Sequence, residues 1–154
     1  KILEAFRELG FKLEEEEGMG YCFNYEGLNL LYMYNENDEE FLNIALPGIV
    51  EVEDDKMLQI CALLEKINST LKYIKAYMLG NSVWLFYERE LFGEEDLMTV
   101  ISRMILHLEA GLVFARKAMA EIEETMANDS SADDTAESAE EIVAEEIADD
   151  EDNE

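Results

Sequence analysis

The spacing of apolar residues changes period several times along the chain, and each change predicts an element. Ile2, Leu3, Phe6 and Leu9 fall at helical spacing and Gly10 stops them, which predicts a short amphipathic helix over residues 1–9. Glu14 to Glu17, followed by Gly18, read as a solvated connection. The period then drops to two. Tyr21–Tyr25 and Leu28–Tyr34 are predicted strands joined through Glu26-Gly27, a two-residue hairpin connection in which glycine supplies positive φ. After the polar turn Asn35–Asp38 comes a third strand, Phe41–Leu46, ended by Pro47-Gly48 because proline has no N–H for the ladder. Helical spacing returns at Met57, Ile60, Cys61, Leu64 and Ile67, with Asp54 and Asp55 placed to cap. A second hairpin, Tyr73–Leu79 and Ser82–Glu90, turns about Gly80-Asn81. Glu94, Glu95 and Asp96 put negative charge at the start of a last helix, where the dipole favours it, and an apolar stripe runs from Leu97 to Met126. At about 1.5 Å per residue that helix is roughly 45 Å long, more than such a domain needs to cover its own sheet. The expected order is α-βββ-α-ββ-α, an α+β domain with a five-stranded antiparallel sheet.

Hairpin register decides which side chains share a face. Pairing outward from Gly80-Asn81 places Ile74, Ala76, Met78, Val83, Leu85 and Tyr87 together, an uncharged set suited to the core. The first hairpin adds Tyr21, Phe23, Tyr25, Leu28, Leu30 and Tyr32, and the third strand adds Leu42, Ile44 and Leu46. The opposite face is mixed. It holds Asn24, Asn29, Asn43, Lys75 and Glu88 beside Tyr73, Tyr77, Trp84, Phe86, Leu31 and Met33. Either a helix of the same chain covers this face, or its aromatic and methionine cluster within a polar rim is a surface for a polypeptide. The six apolar residues of the mixed face are the candidate protein-binding set.

Composition divides the chain near Met126. The whole carries 38 acidic and 11 basic residues, a net charge of −27, and Ala127–Glu154 holds 13 of the acids with no Lys, Arg or aromatic residue. A segment of that make-up buries too little apolar surface to offset its ordering entropy. Residues 1–126 are therefore read as the folded domain and 127–154 as an acidic disordered tail. So negative a chain repels phosphate, which excludes nucleic acid and an anionic membrane surface as expected partners and leaves basic proteins. No uninterrupted apolar run reaches the ~18 residues of a membrane span, and Lys1-Ile2-Leu3-Glu4 lacks the apolar core of an export signal. Cys22 and Cys61 match no CxxC spacing and read as reduced, buried thiols of a cytoplasmic protein.

Candidate chemistry is sparse. His107 is the only histidine and sits between Leu106 and Leu108, with no Ser or Cys that the sequence places beside it. Acid pairs such as Glu94/Glu95 arise by chance among 38 carboxylates. The run from Asn35 imitates a calcium loop, but its sixth position is Glu40 instead of glycine and its twelfth is Leu46 instead of glutamate. There is no GxGxxG, no phosphate loop and no zinc spacing. No enzyme activity, cofactor, metal or small-molecule ligand is expected.

Several segments carry a likeness to known proteins: Leu28-Asn29-Leu30-Leu31-Tyr32, Phe41-Leu42-Asn43-Ile44, Ile67-Asn68 through Lys72-Tyr73-Ile74-Lys75, and Val83-Trp84-Leu85-Phe86-Tyr87-Glu88 before the long helix. In element order and hydrophobic spacing, residues 1–126 resemble the YbjN family of bacterial proteins, grouped as candidate sensory transduction regulators, whose fold is similar to that of type III secretion chaperones. The resemblance implies small acidic homodimers that bind other polypeptides and perform no chemistry. The tail lies outside it. The expected function is thus a chaperone-like or regulatory adaptor acting as a homodimer. The alternative is a tail decoy for a basic protein, in which Ile142, Val143 and Ile147 fold as a short helix on binding.

Overall fold

A computed structural model describes the backbone of residues 1–151 and the side chains of residues 1–131. In chain order the elements are α1 (Ile2–Glu8), β1 (Glu14–Glu16), β2 (Gly20–Tyr25), β3 (Leu28–Met33), β4 (Phe41–Glu51), a 3-10 turn (Asp54–Lys56), α2 (Met57–Thr70), β5 (Ile74–Leu79), β6 (Ser82–Glu90) and α3 (Leu97–Glu151). The strands form one antiparallel sheet in the order β1-β2-β3-β4-β6-β5. The fold is α+β, as expected, with one strand more.

That sixth strand is the acidic segment read as a solvated connection: Glu14 opposes Cys22 and Glu16 opposes Gly20. Its side chains are all exposed, so backbone pairing alone makes it a strand. Gly20 permits the pairing, because its φ is 143° and a Cβ there would collide with the Tyr32 carbonyl oxygen. Both hairpins adopt the expected registers, Tyr25 opposite Leu28 and Leu79 opposite Ser82. At the first turn Glu26 joins Gly27 in taking positive φ, 46° and 83°.

Two boundaries and one helix face differ. β4 does not end at Pro47-Gly48 but passes through it, with a register shift between Leu46 and Val50. A bulge tolerates a residue without an N–H, and β3 pairs only with Asn43–Ala45 of β4, so no ladder bond is lost on that side. Asp54 and Asp55 do not cap α2; they lie in the 3-10 turn, and no side-chain cap bond forms. The inward face of α2 is Ile60, Leu63 and Ile67, which leaves Cys61 exposed instead of buried. A helix that packs by its 60/63/67 edge turns position 61 about 100° away.

The core lies between the sheet and the helices. Phe23, Leu30, Tyr32, Leu42, Ile44, Leu46, Ile74, Ala76, Val83, Leu85 and Tyr87 supply the sheet side. Phe6 of α1, Ile60, Leu63 and Ile67 of α2, and Ile101, Met104, Ile105 and Leu108 of α3 close over them. Beyond the sheet, α3 continues against α2, burying Ala115 and Ala118 with Met119 and Ile122 partly buried. The over-long stripe is therefore used partly within the chain. From Leu97 to Ser131 the helix is long and apolar enough to cross a membrane by length and composition alone. Its apolar stripe instead meets the sheet and α2. The backbone stays helical to Glu151, past Met126, where composition placed the start of the tail; no Gly or Pro follows Gly111 to break it. The side chains of Ile142, Val143 and Ile147 lie outside the described residues.

Candidate interaction surface

Among the described residues all three helices pack on the core face, and none lies over the mixed face. Its apolar residues form a separate cluster, Leu31, Ala45 and Phe86, with Cys22, Met33 and Trp84 partly buried against them. These come from four neighbouring strands, β2, β3, β4 and β6, and the register explains the grouping: Cys22 opposes Leu31, Leu31 opposes Ala45, and Ala45 opposes Phe86. The cross-strand row is a strip of apolar side chains running over the middle of the sheet.

Phe86 is 2% exposed although no described residue of another layer covers it. Its neighbours do. Tyr77 stacks on it at 4.1 Å between ring centroids with 5° between planes, and Trp84 stacks at 5.9 Å and 18°. The indole N–H of Trp84 donates to the Ser82 hydroxyl at 3.0 Å, which fixes the ring. Tyr77 stays 44% exposed, and burial, followed by the Glu88 carboxylate, pushes its phenol upward in pKa.

The expected surface residues therefore separate. Tyr77, Trp84 and Met33 lie on the open face and keep accessible area. Leu31 and Phe86 are on that face but buried beneath these neighbours, so they shape the surface without presenting it. Tyr73 is on the other side. Its φ of 67° reverses the direction alternation would give, and its ring stacks on Tyr87 at 5.5 Å and leans on His107 of α3 at 5.5 Å. Period-two reasoning holds only while φ stays negative.

A polar flank borders the strip. Asn43 donates to Glu88 at 3.1 Å, and Lys75 pairs with the same carboxylate at 3.6 Å. The Asn43 side-chain oxygen is buried without a partner among the described residues, beside a recess of about 370 Å³ that Met33, Asn43 and Glu88 help to line. Glu14 and Glu16 extend the acidic rim on β1, and with burial they push the Cys22 thiol above its ordinary pKa, burial being the larger cause. Such a thiol is a poor nucleophile.

The free edge of the sheet is closed. Asn68 on α2 donates to the Ala76 carbonyl at 2.9 Å and accepts from the Ala76 N–H at 2.8 Å. One amide thus occupies both backbone groups that the middle of β5 would offer to an incoming strand. At the opposite edge β1 is three residues long and wholly acidic. Strand addition is disfavoured at both ends, which leaves the face itself.

Two further recesses lie on the helix side. Tyr21 and Tyr32 line one of about 430 Å³ with Tyr34, while Tyr25 lines another of about 260 Å³ with Leu9, Phe11 and Leu106. Among the described residues no group of three or more His, Cys, Asp or Glu could hold a metal ion.

No family model and no curated protein matches the sequence. Solved structures do. YbjN from E. coli, described as a candidate transcription regulator, aligns with a TM-score of 0.57 at 13% identity, over 75% of this chain and 89% of that one. An uncharacterized protein from Methanothermobacter thermautotrophicus aligns at 18% identity and a TM-score of 0.49, over 80% and 95% of the two chains. The chain thus has a YbjN-like fold.

Proposed function

We propose that this chain is a cytoplasmic, non-catalytic adaptor, chaperone-like or regulatory, which acts as a homodimer and receives a polypeptide segment on the open face of its sheet. The observation that carries the reading is the one-sided placement of the helices, which leaves Tyr77, Trp84 and Met33 uncovered. Aromatic residues and methionine within a polar rim are the usual make-up of protein-binding surfaces. The rim is acidic, and the chain carries a net charge of −27, so the complementary segment has apolar anchors flanked by Lys or Arg. A regulatory role is in keeping with the description of the E. coli neighbour, and such charge directs it through protein contacts instead of DNA.

The test is cross-linking mass spectrometry on partners captured by the full chain, compared with Tyr77→Arg. Cross-links should map to β5 and β6 and vanish in the variant with its thermal midpoint unchanged. Cross-links elsewhere, or unaltered capture, would overturn the reading. Sedimentation of the full chain tests the dimer; a monomer at high micromolar concentration removes that part. The second reading, the tail as decoy, is favoured by the 13 acids from Ala127 to Glu154. It predicts capture that falls steeply with salt and is lost on deleting residues 127–154.

A further inference from the structure

On the helix side of the sheet, a recess of about 310 Å³ is lined by Tyr73, Tyr87, Arg89, Thr99, Arg103 and His107, with Val100 and Met104 at its floor. Its charge is opposite to that of the molecule. The chain has four arginines and one histidine among its 154 residues, and two of those arginines and the histidine converge here. We propose that this recess binds a small planar ligand bearing an oxyanion, an aromatic carboxylate or an aryl phosphate.

The acids near the recess are already engaged. Glu95 accepts from the Phe92 N–H at 2.7 Å, the Gly93 N–H at 2.9 Å and Arg89 at 3.1 Å, and these contacts, the Phe92 amide first, hold its carboxyl below the usual range. Asp96 accepts from the Thr99 hydroxyl at 2.6 Å, and that bond, with the Thr99 and Met98 amides, likewise lowers its pKa. Glu95 is thereby held to the loop before α3, and Asp96 caps the first turn of the helix. Arg89 is half committed, to Glu95 and to the Glu90 carbonyl. Arg103 is exposed and makes no hydrogen bond or ion pair among the described residues. It is the cation left to meet an anion.

The aromatic residues supply the planar subsite. Tyr73, Tyr87 and His107 pack mutually at 5.5–5.8 Å between ring centroids. Tyr73, stacked on Tyr87, remains 64% exposed and so presents ring surface to a second flat group. It does so at a cost. A tyrosine at φ 67° is strained by about 1–3 kcal/mol where glycine or asparagine would be relaxed. Its stack on Tyr87 and His107 holds the ring there and leaves the outer ring face open to a ligand.

The site lies across the sheet from the open face, so it is independent of the adaptor reading. The test titrates isotope-labelled full chain with benzoate, phenyl phosphate and benzyl alcohol at constant ionic strength, followed by NMR. Benzoate or phenyl phosphate should shift Tyr73, Tyr87, Arg103 and His107 saturably, and the uncharged alcohol should not. Arg103→Gln should weaken the anion at least fivefold, whereas Arg116→Gln, farther along α3, should leave it unchanged. Tyr73→Asn should weaken it while raising the thermal midpoint, because the backbone strain goes with the ring. No saturable shift up to 10-fold molar excess at ~1 mM protein, or equal binding by Arg103→Gln, would overturn the proposal.

Discussion

The two faces of the sheet bury aromatic side chains by different means. On the helix side Phe6 is sealed from above and from the sheet, with Phe11, Phe23 and Tyr32 around it at 5.0–6.3 Å. On the open side Phe86 reaches nearly the same burial with only Tyr77 and Trp84 stacked along its flanks. Burial within a chain therefore does not require a covering layer. Lateral stacking can hide one ring while leaving two others presented to solvent, and those two are what a partner can use.

The comparison is testable by truncation. Phe6→Ala should cost about 3–5 kcal/mol in denaturant unfolding, because the closed site cannot collapse or admit water cheaply. Phe86→Ala should cost less, about 2–3 kcal/mol, since Tyr77 and Trp84 can tilt into the space and solvent can reach the rest. Equal losses would show that the open face is packed as rigidly as the core.

Alkali sharpens the same contrast. Tyr32, on the helix side, has its phenol pushed up to about 12, by burial first and then by Tyr34, Tyr21 and Glu39. The folded state thus favours the neutral phenol more than the unfolded chain does. Its contribution is complete below pH ~10 and is lost as pH rises through about 12, roughly 2–3 kcal/mol in all. Tyr32→Phe should flatten that part of the stability curve, and Tyr77→Phe, on the open side, should flatten it much less.

Much of this contrast was legible in the sequence. Alternation about two glycine turns was enough to sort the strand residues into faces, and every core-face residue of β6 is buried where the register puts it. The misses, among them Met78, which is exposed near the end of β5, turn on local detail that periodicity does not encode. β1 has no apolar alternation because only its backbone pairs. Tyr73 changes sides because of the sign of one φ. Cys61 follows from a rotation of α2 that its own stripe leaves undetermined. The cationic recess joins Arg89 on β6 to Arg103 and His107 of α3, a tertiary meeting that local spacing does not announce.

Asn68 sets the next prediction. Replacing it by Ala removes two hydrogen bonds to Ala76 and leaves both backbone groups of a buried position without a side-chain partner. A loss of about 1–3 kcal/mol follows. The variant also uncovers the middle of β5 as a strand template, so it should associate at concentrations where the parent does not, by light scattering. Loss of stability without association would mean that α2 guards the edge by bulk alone.

The smallest stability effect should carry the largest functional one. Tyr77 is the outermost ring of the open-face stack and makes no hydrogen bond among the described residues, so Tyr77→Ala removes mainly one stacked neighbour of Phe86. The expected cost is below about 1 kcal/mol, in the range of an aromatic pair. Trp84→Ala should cost more, because it also strips the Ser82 hydrogen bond and bares Phe86 from its other side. If the open face receives a polypeptide, both variants lose it despite this unequal cost in stability. If instead capture tracks stability across Tyr77→Ala, Trp84→Ala and Phe86→Ala, the stack is only a structural strip, and the partner must bind elsewhere on the molecule.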